Sequence, residues 1–125
     1  DQPRSRGLGD VYKRQVMSMG KNAQIIRMDG HGVPEILDAI LRVFPLDTYI
    51  EKPVNLMEVM PGDDVQTPIW DVYKKTVEKY DERGKNAIGE IERFKFYEET
   101  KTAYAVIATS EKALYANIML QKGVV

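Results

Sequence analysis

His31 is the single histidine of the chain, and Glu35 follows it four residues later in the stretch MDGHGVPEIL. A histidine beside a carboxylate can exchange protons near neutral pH, because the ordinary pKa of histidine lies close to that range. The same two side chains are too few for a metal site, since the sequence has no cysteine and no second histidine to complete one. His31 is therefore a candidate for acid–base catalysis, with a loop bystander as the alternative, and we expect no bound metal.

Tyr115 and Asn117 form a second candidate site near the carboxyl end of the chain. They follow the run YAVIAT, residues 104–109, which is almost wholly apolar and typical of a strand buried on both faces. Binding sites gather at the carboxyl ends of such strands, and a phenol with an amide offers the donors and acceptors that sugar hydroxyls need. The alternative is that Tyr115 packs in the core while Asn117 closes a turn.

Arg93 and the acidic pair in GDD, residues 62–64, are weaker candidates. Arg93 is either a solvated charge on a helix, the usual place of an arginine, or a fork of donors for ligand oxygens, and its spacing favours neither. The two acids follow Pro61 and are typical of a solvated turn rather than a metal site. Trp70 and the tyrosines at helical spacing are predicted to be core residues.

The hydrophobic periodicity predicts the elements that would position these residues. Strands are expected at 23–29, 54–60, 104–109 and 117–123, and helices at 33–44, from Pro68 to a stop at Gly84, and at 91–103. Ser110 is expected to cap a short helical turn over residues 111–115. Strands that alternate with helices predict a single three-layer α/β domain with a mainly parallel sheet flanked by helices.

Composition and charge narrow the function classes. Hydrophobic residues make up 43% and charged residues 30% of the chain, and the formal net charge is -1, so the basic excess of a nucleic-acid-binding protein is missing. The absence of cysteine excludes disulfides and cysteine nucleophiles and fits a cytoplasmic protein. No apolar run approaches the roughly 18 residues of a membrane span. We expect neither a nucleic acid nor a membrane as partner.

Residues 1–15, DQPRSRGLGDVYKRQ, differ in character from the rest of the chain. They show no apolar periodicity and several residues that break regular structure, so we interpret them as a non-native or disordered leader and residues 16–125 as the domain. The Gly7-Leu8-Gly9 stretch is a weak phosphate-loop signal, because no strand precedes it and no third glycine follows.

Three segments taken together carry a resemblance to a known family. They are IIRMDG at 25–30, TPIWDVYKK at 67–75 and ERFKFYEETKTAYAVIATSEKALYANIMLQKG at 92–123. In this order they resemble the L-fucose mutarotase family, a relative of D-ribose pyranase, from about Val16 to the carboxyl end. The resemblance implies a mutarotase-like or ribose-pyranase-like α/β fold and interconversion of the α and β anomers of a free sugar, with no metal or organic cofactor. It also implies self-association, since bacterial members form ring-like decamers.

The resemblance assigns substrate-binding roles by position. The family's substrate-binding arginine falls on Arg93, and its Tyr-Gly-Asn stretch falls on Tyr115, Ala116 and Asn117. Alanine in the middle is the ribose-pyranase form, and Ser110 replaces the usual glycine, whereas the RF-x-FYE and TPIW motifs are features of the fucose branch. We therefore expect L-fucose as the substrate, with D-ribose as the alternative.

The resemblance also bears on His31. The family's general acid is a histidine in a stretch that should precede SMGKNAQIIRMDG, where the leader stands in this sequence. We therefore expect that His31 is not the family's acid, that the segment bearing it is missing here, and that Tyr115 is the remaining candidate catalytic residue. A sugar-binding module without turnover and a purely structural role in assembly are the other readings.

Overall fold

A computed structural model describes residues 24–124 of the chain. In chain order the elements are β1 Gln24–Met28, α1 Val33–Val43, β2 Val54–Met57, α2 Pro68–Tyr80, a 3₁₀ helix Gly84–Ala87, β3 Ile88–Ile91, α3 Arg93–Thr100, β4 Ala105–Thr109 and β5 Ile118–Leu120. The predicted α/β class is confirmed. The predicted leader at residues 1–15, with its Gly7–Gly9 stretch, lies outside the described residues.

The described strands form two sheets where one was predicted. β1 pairs in parallel with β4, from Gln24 opposite Ala105 to Met28 opposite Thr109. The second sheet has the order β3-β2-β5, in which β3 is parallel and β5 antiparallel to β2. The chain passes from β4 to β5 through residues 110–117 without a helix, and β5 runs antiparallel to β2.

Residues 104–109 were expected to be buried on both faces, and this prediction is wrong. Val106 and Ala108 are buried in β4, while the alternate residues Ala105, Ile107 and Thr109 are partly exposed. Its partner β1 is exposed along most of its length, with Ile25 46% and Ile26 37% accessible. Because side chains alternate between the two faces of a strand, one face of β4 is covered, whereas β1 is exposed on both faces.

The helices match the prediction better than the turns do. α2 ends at Tyr80, where Asp81 is the C-cap, so the predicted stop at Gly84 is too late. Gly84 instead begins the 3₁₀ helix with φ +56°, and a β-carbon there would lie 2.9 Å from Glu78 Cγ. β3 was missed, because four residues that include Gly89 give too short an apolar pattern.

The core lies between α1, α2 and the β3-β2-β5 sheet. The apolar stripe of α1 buries Leu37 and Leu41, as its periodicity predicts. α2 packs against it with four buried side chains: Ile69, Trp70, Tyr73 and Val77. β2 lies in the middle of its sheet, and Val54 and Leu56 have no accessible surface. None of the helices within residues 24–124 has the length and hydropathy to cross a membrane.

Candidate functional site

One edge of the β3-β2-β5 sheet gathers the predicted binding residues. β2 and β3 are parallel and end together, with Met57 opposite Ile91, and the amide of Glu58 donates to the carbonyl of Ile91 at 2.8 Å. β5 is antiparallel and begins at this edge, where Ile118 lies opposite Leu56. We call this the carboxyl edge of the sheet.

Three connecting segments meet at the carboxyl edge. They are the loop 58–67 after β2, the start of α3 after β3, and the turn 110–117 before β5. Arg93 is the first residue of α3, and Tyr115, Ala116 and Asn117 lead directly into β5. The topology therefore brings to one edge the four residues to which the resemblance assigns substrate binding.

Two side chains of α2 hold the turn that carries Tyr115 and Ala116. The indole N–H of Trp70 donates to the carbonyl of Tyr115 at 2.8 Å, and the hydroxyl of Tyr73 donates to the carbonyl of Ala116 at 2.6 Å. Trp70 and Tyr73 lie three residues apart, on one face of the helix. The two donors therefore fix two successive peptide groups of the binding turn.

The backbone of Tyr115 lies in the left-handed region, with φ 54°. A residue other than glycine pays about 1–3 kcal/mol for such a conformation and keeps it only where its surroundings impose it. The hydrogen bonds from Trp70 and Tyr73 supply part of that constraint. The predicted helical turn over 111–115 is wrong: the segment is a non-helical turn.

The side chain of Tyr115 is buried, with 2% of its surface accessible. Its hydroxyl donates to the carboxylate of Asp63 at 2.5 Å and accepts from the amide of Met60 at 3.2 Å. Both partners lie in the loop 58–67, so the phenol joins two of the three segments at the carboxyl edge. Tyr115 thus packs in the core, as the alternative interpretation proposed, while its polar end lies at the predicted site.

Asn117 and Ala116 are half-buried beside it. Among residues 24–124, the side-chain amide of Asn117 has no hydrogen-bond partner. This amide carries two donors and one acceptor. It is therefore a group at the carboxyl edge that can bind a polar ligand without first breaking a contact to the described part of the chain.

Arg93 is half-buried at the first position of α3. Its guanidinium lies over the ring of Phe94, 4.6 Å from the ring centre, while the carboxylate of Glu92 caps the helix by accepting from the amide of Phe94. A cation in the first turn opposes the helix dipole. The helix dipole therefore does not favour an arginine here, and its planar fork of donors is suited to ligand oxygens.

His31 lies at the carboxyl ends of the other strand pair, β1 and β4. Its Nδ1 is 3.0 Å from Oε1 of Glu35, and both side chains are more than half exposed. The amide of Ser110 donates to the carbonyl of His31 at 3.0 Å, and the hydroxyl of Ser110 accepts from the amide of Gly30 at 2.7 Å. Ser110 therefore ties β4 to the His31 loop, and the prediction that it caps a helical turn is wrong.

Glu111 connects the surroundings of His31 to those of the binding turn. One carboxylate oxygen accepts from the amide of Val33, at the start of α1, at 2.9 Å, and the other accepts from the amides of Lys112 and Ala113. Burial, together with the negative charge of Glu111, raises the pKa of the Tyr73 hydroxyl above its ordinary value. Tyr73 therefore keeps its proton and remains a donor to the binding turn.

Sequence reasoning missed the residues that support the turn. Trp70 and Tyr73 were predicted only as core residues, and Asp63 only as part of a solvated loop. Buried tryptophan and tyrosine side chains usually find a partner for their polar atom, so their spacing in TPIWDVY was an available signal. No sequence signal pairs Asp63 with Tyr115, because 52 residues separate them.

Outside the carboxyl edge, the described residues form a surface depression but no metal-binding cluster. Within residues 24–124, no three His, Cys, Asp or Glu side chains converge as metal ligands do. A depression of about 500 Å³ is lined by Thr48, Tyr80, Asp81, Glu82 and Arg83, and it shares no residue with the carboxyl edge. The Arg83 guanidinium there is held by Asp81 and by the carbonyls of Asp47 and Ile50.

Residues 15–125 match the RbsD / FucU transport protein family. Human fucose mutarotase is 47% identical over 102 residues, which cover 79% of this chain and 65% of the human protein. The L-fucose mutarotase of Actinobacillus pleuropneumoniae serotype 5b is 38% identical over 103 residues, which cover 82% of this chain and 71% of that protein. The chain thus spans about 65% of the length of the vertebrate relatives.

Solved structures agree with these sequence relatives. The crystal structure of FucU from Bifidobacterium longum superposes with a TM-score of 0.85 at 64% identity, covering 88% of this chain and 77% of that one. The fucose mutarotase of Streptococcus pneumoniae in complex with L-fucose superposes with a TM-score of 0.76 at 44% identity, covering 82% and 71%. Both confirm the α/β fold and the resemblance that the sequence motifs carry.

Proposed function

This chain belongs to the RbsD / FucU transport protein family, and from that premise we propose that it is a sugar mutarotase. The reaction interconverts the α and β anomers of L-fucose by opening and reclosing the sugar ring, with acid–base catalysis and no metal or organic cofactor. The observation that carries the proposal is the meeting of Arg93 and the Tyr115–Asn117 turn at one sheet edge, in a fold shared with a mutarotase solved with L-fucose.

The groups at the carboxyl edge suit a monosaccharide. The guanidinium of Arg93 has five donors in a planar fork, and the amide of Asn117 adds donors and an acceptor. Tyr115 brings a hydroxyl, and the peptide of Ala116 is held in place by Tyr73. A sugar hydroxyl both donates and accepts, so a ring bearing several of them can use each of these groups.

Ring opening needs two proton transfers. The ring oxygen must gain a proton while the anomeric hydroxyl loses one, and each positioned acid or base accelerates such a step by roughly 100- to 10,000-fold. Among the described site residues, Tyr115 is our candidate for the group that exchanges a proton with the sugar. Its hydroxyl already lies in a hydrogen-bonded chain with Asp63.

We propose that His31 does not supply the proton to the ring oxygen. It lies at the carboxyl ends of β1 and β4, where it contacts Glu35 and the backbone of Ser110, the first residue of the turn 110–117, rather than Arg93, Tyr115 or Asn117. The chain has no second histidine. The proton for the ring oxygen therefore comes from a group other than His31.

Exchange NMR tests the proposal. The rate at which the α and β signals of L-fucose interconvert is measured with and without the chain, and the shifts of Tyr115 and Asn117 are followed during titration. We expect L-fucose to change the chemical shifts of these two residues, and its anomers to interconvert faster with the chain than without it. A chain that shows no shift change at either residue with any sugar, and that accelerates no exchange, would contradict the proposal.

D-ribose is the second candidate substrate, because Ala116 stands in the middle of the binding turn. The same titration with D-ribose ranks the two sugars by dissociation constant. A sugar-binding module without turnover is distinguished by chemical-shift changes at Asn117 with no effect on the exchange rate.

Self-association and a cytoplasmic location belong to the same proposal. Large apolar side chains lie exposed on the described surface, with Tyr49 88%, Tyr104 83% and Phe94 61% accessible, and such groups favour contact between copies of a chain. The absence of cysteine supports a reducing compartment. Sedimentation analysis gives the oligomeric state directly.

A further inference from the structure

The tight turn Met60–Asp63 provides two hydrogen-bond partners of the Tyr115 hydroxyl. The amide of Asp63 donates to the carbonyl of Met60 at 3.0 Å, Pro61 is the second residue, and Gly62 has φ +84°. Proline followed by a residue with positive φ is the signature of a type II turn. The first and last residues of this turn are the two partners of Tyr115: the amide of Met60 donates to its oxygen, and the carboxylate of Asp63 accepts its proton.

The direction of these two hydrogen bonds is determined by the groups that make them. A backbone N–H can only donate, and a carboxylate can only accept. A phenol has one proton, and that proton points at Asp63 at an oxygen–oxygen distance of 2.5 Å. Toward any further group the Tyr115 oxygen can then act only as an acceptor.

We propose that Asp63 is a positioning residue that makes Tyr115 an acceptor for a sugar hydroxyl. This inference rests on the proposed sugar site and deepens it. The sugar group that meets Tyr115 must present its own hydrogen, and the Tyr115 oxygen can receive that proton as its own proton moves toward Asp63. Asp63 itself does not touch the sugar in this arrangement but acts through Tyr115.

The neighbouring residue Asp64 provides a matched control. It carries the same charge one position along the chain, it is exposed, and within residues 24–124 its carboxylate makes no hydrogen bond. Asp63→Asn and Asp64→Asn therefore change the net charge equally, and only the first alters the partner of Tyr115. Tyr115→Phe removes the hydroxyl through which Asp63 is proposed to act.

The experiment is a double-mutant cycle on L-fucose affinity in the full chain. We expect Asp63→Asn to weaken binding about tenfold, in the range of a charge-assisted hydrogen bond, and Asp64→Asn to leave it unchanged. In the Tyr115→Phe background, Asp63→Asn should have no further effect. An unchanged dissociation constant in Asp63→Asn, or the same loss with Phe at 115, would overturn the inference, because an Asp63 that acts through the phenol has no effect once the hydroxyl is removed.

A second measurement does not need the sugar. The ¹³Cζ chemical shift of Tyr115 reports the hydrogen bond of its hydroxyl, and we expect it to move in Asp63→Asn and not in Asp64→Asn. An unmoved shift overturns the inference whatever the affinities are. If the shift moves and the unmodified chain binds neither L-fucose nor D-ribose, the positioning of the hydroxyl stands, whereas the proposed function and the sugar role of Asp63 both fail.

Discussion

The indole N–H of Trp70 donates a 2.8 Å hydrogen bond to the backbone carbonyl of Tyr115, 45 residues away in the chain. One helical turn later, Tyr73 makes the equivalent bond to the carbonyl of Ala116. The helix that supplies much of the apolar core thus also orients the proposed binding turn. Stability and ligand affinity should be coupled through these two side chains.

Tyr73→Phe tests this coupling. The change removes one buried hydroxyl and leaves the carbonyl of Ala116 without that donor, a loss of about 1–3 kcal/mol for a buried group left unsatisfied. We expect urea denaturation to show a lower unfolding free energy, and L-fucose titration to show weaker binding. Tyr49→Phe is the control, since Tyr49 is 88% exposed and should lose nothing. Equal stability of the two variants would refute a supporting role for Tyr73.

The substitutions Asn117→Ala and His31→Gln test which of the two candidate sites predicted from the sequence binds the sugar. Removing the Asn117 amide should weaken L-fucose binding by roughly 10-fold or more, because its sugar partners lose a hydrogen bond. His31→Gln should leave the dissociation constant for L-fucose unchanged, because His31 lies in the loop after β1, where its carbonyl contacts Ser110. Isothermal titration of both variants gives the comparison, and a loss confined to His31→Gln would reverse our assignment.

Arg93→Lys tests whether sugar binding depends on the planar fork of donors that the guanidinium provides. Lysine keeps the charge but has no planar pair of donors, so we expect weaker sugar binding with nearly unchanged thermal stability. The stability expectation follows because lysine keeps the positive charge at the first position of α3, so the interaction with the helix dipole is unchanged. Lys95→Gln, an exposed change in the same helix, serves as control. A large drop in melting temperature in Arg93→Lys alone would point to a structural role.

Asp38 gives the chain an acid-sensitive link between α1 and α2. Hydrogen bonds from Lys79 and Tyr80 lower the pKa of this carboxyl from 3.8 to about 2. A group whose pKa is depressed by folding stabilises the protein above its unfolded pKa, and the contribution disappears as pH falls through the folded pKa. We expect Asp38→Asn to lower the urea midpoint by a constant amount above about pH 5.

The difference in urea midpoint between the unmodified chain and Asp38→Asn should disappear at low pH. Between about pH 4 and pH 2 the urea midpoints of the unmodified chain and Asp38→Asn should converge, because the unmodified carboxyl becomes protonated. Asp64→Asn, at an exposed acid without an ion pair in the described chain, should follow the unmodified protein throughout. Parallel midpoints for the unmodified chain and Asp38→Asn down to pH 2 would contradict this role of Asp38.

The sequence by itself determined the elements whose side-chain period is strong. The stripe of α1, with Leu37 and Leu41, and the stripe of α2, with Trp70 and Tyr73, predicted both helices, although α2 ends at Tyr80 and not at Gly84. Long periodic segments carry many independent apolar positions, so one misleading residue does not change the pattern. The ordered motifs from TPIW to the carboxyl end likewise identified the family.

Only the tertiary structure decided how the strands pair and what surrounds Tyr115. β3 is four residues long and β5 three, too short for a periodic signal, and their partners in β2 lie far away in the chain. The same holds for the hydroxyl of Tyr115, whose hydrogen bond to Asp63 joins positions 52 residues apart. Local pattern reflects which face of an element is buried, whereas the contacts that tune a functional group depend on which distant segments the packed core brings together.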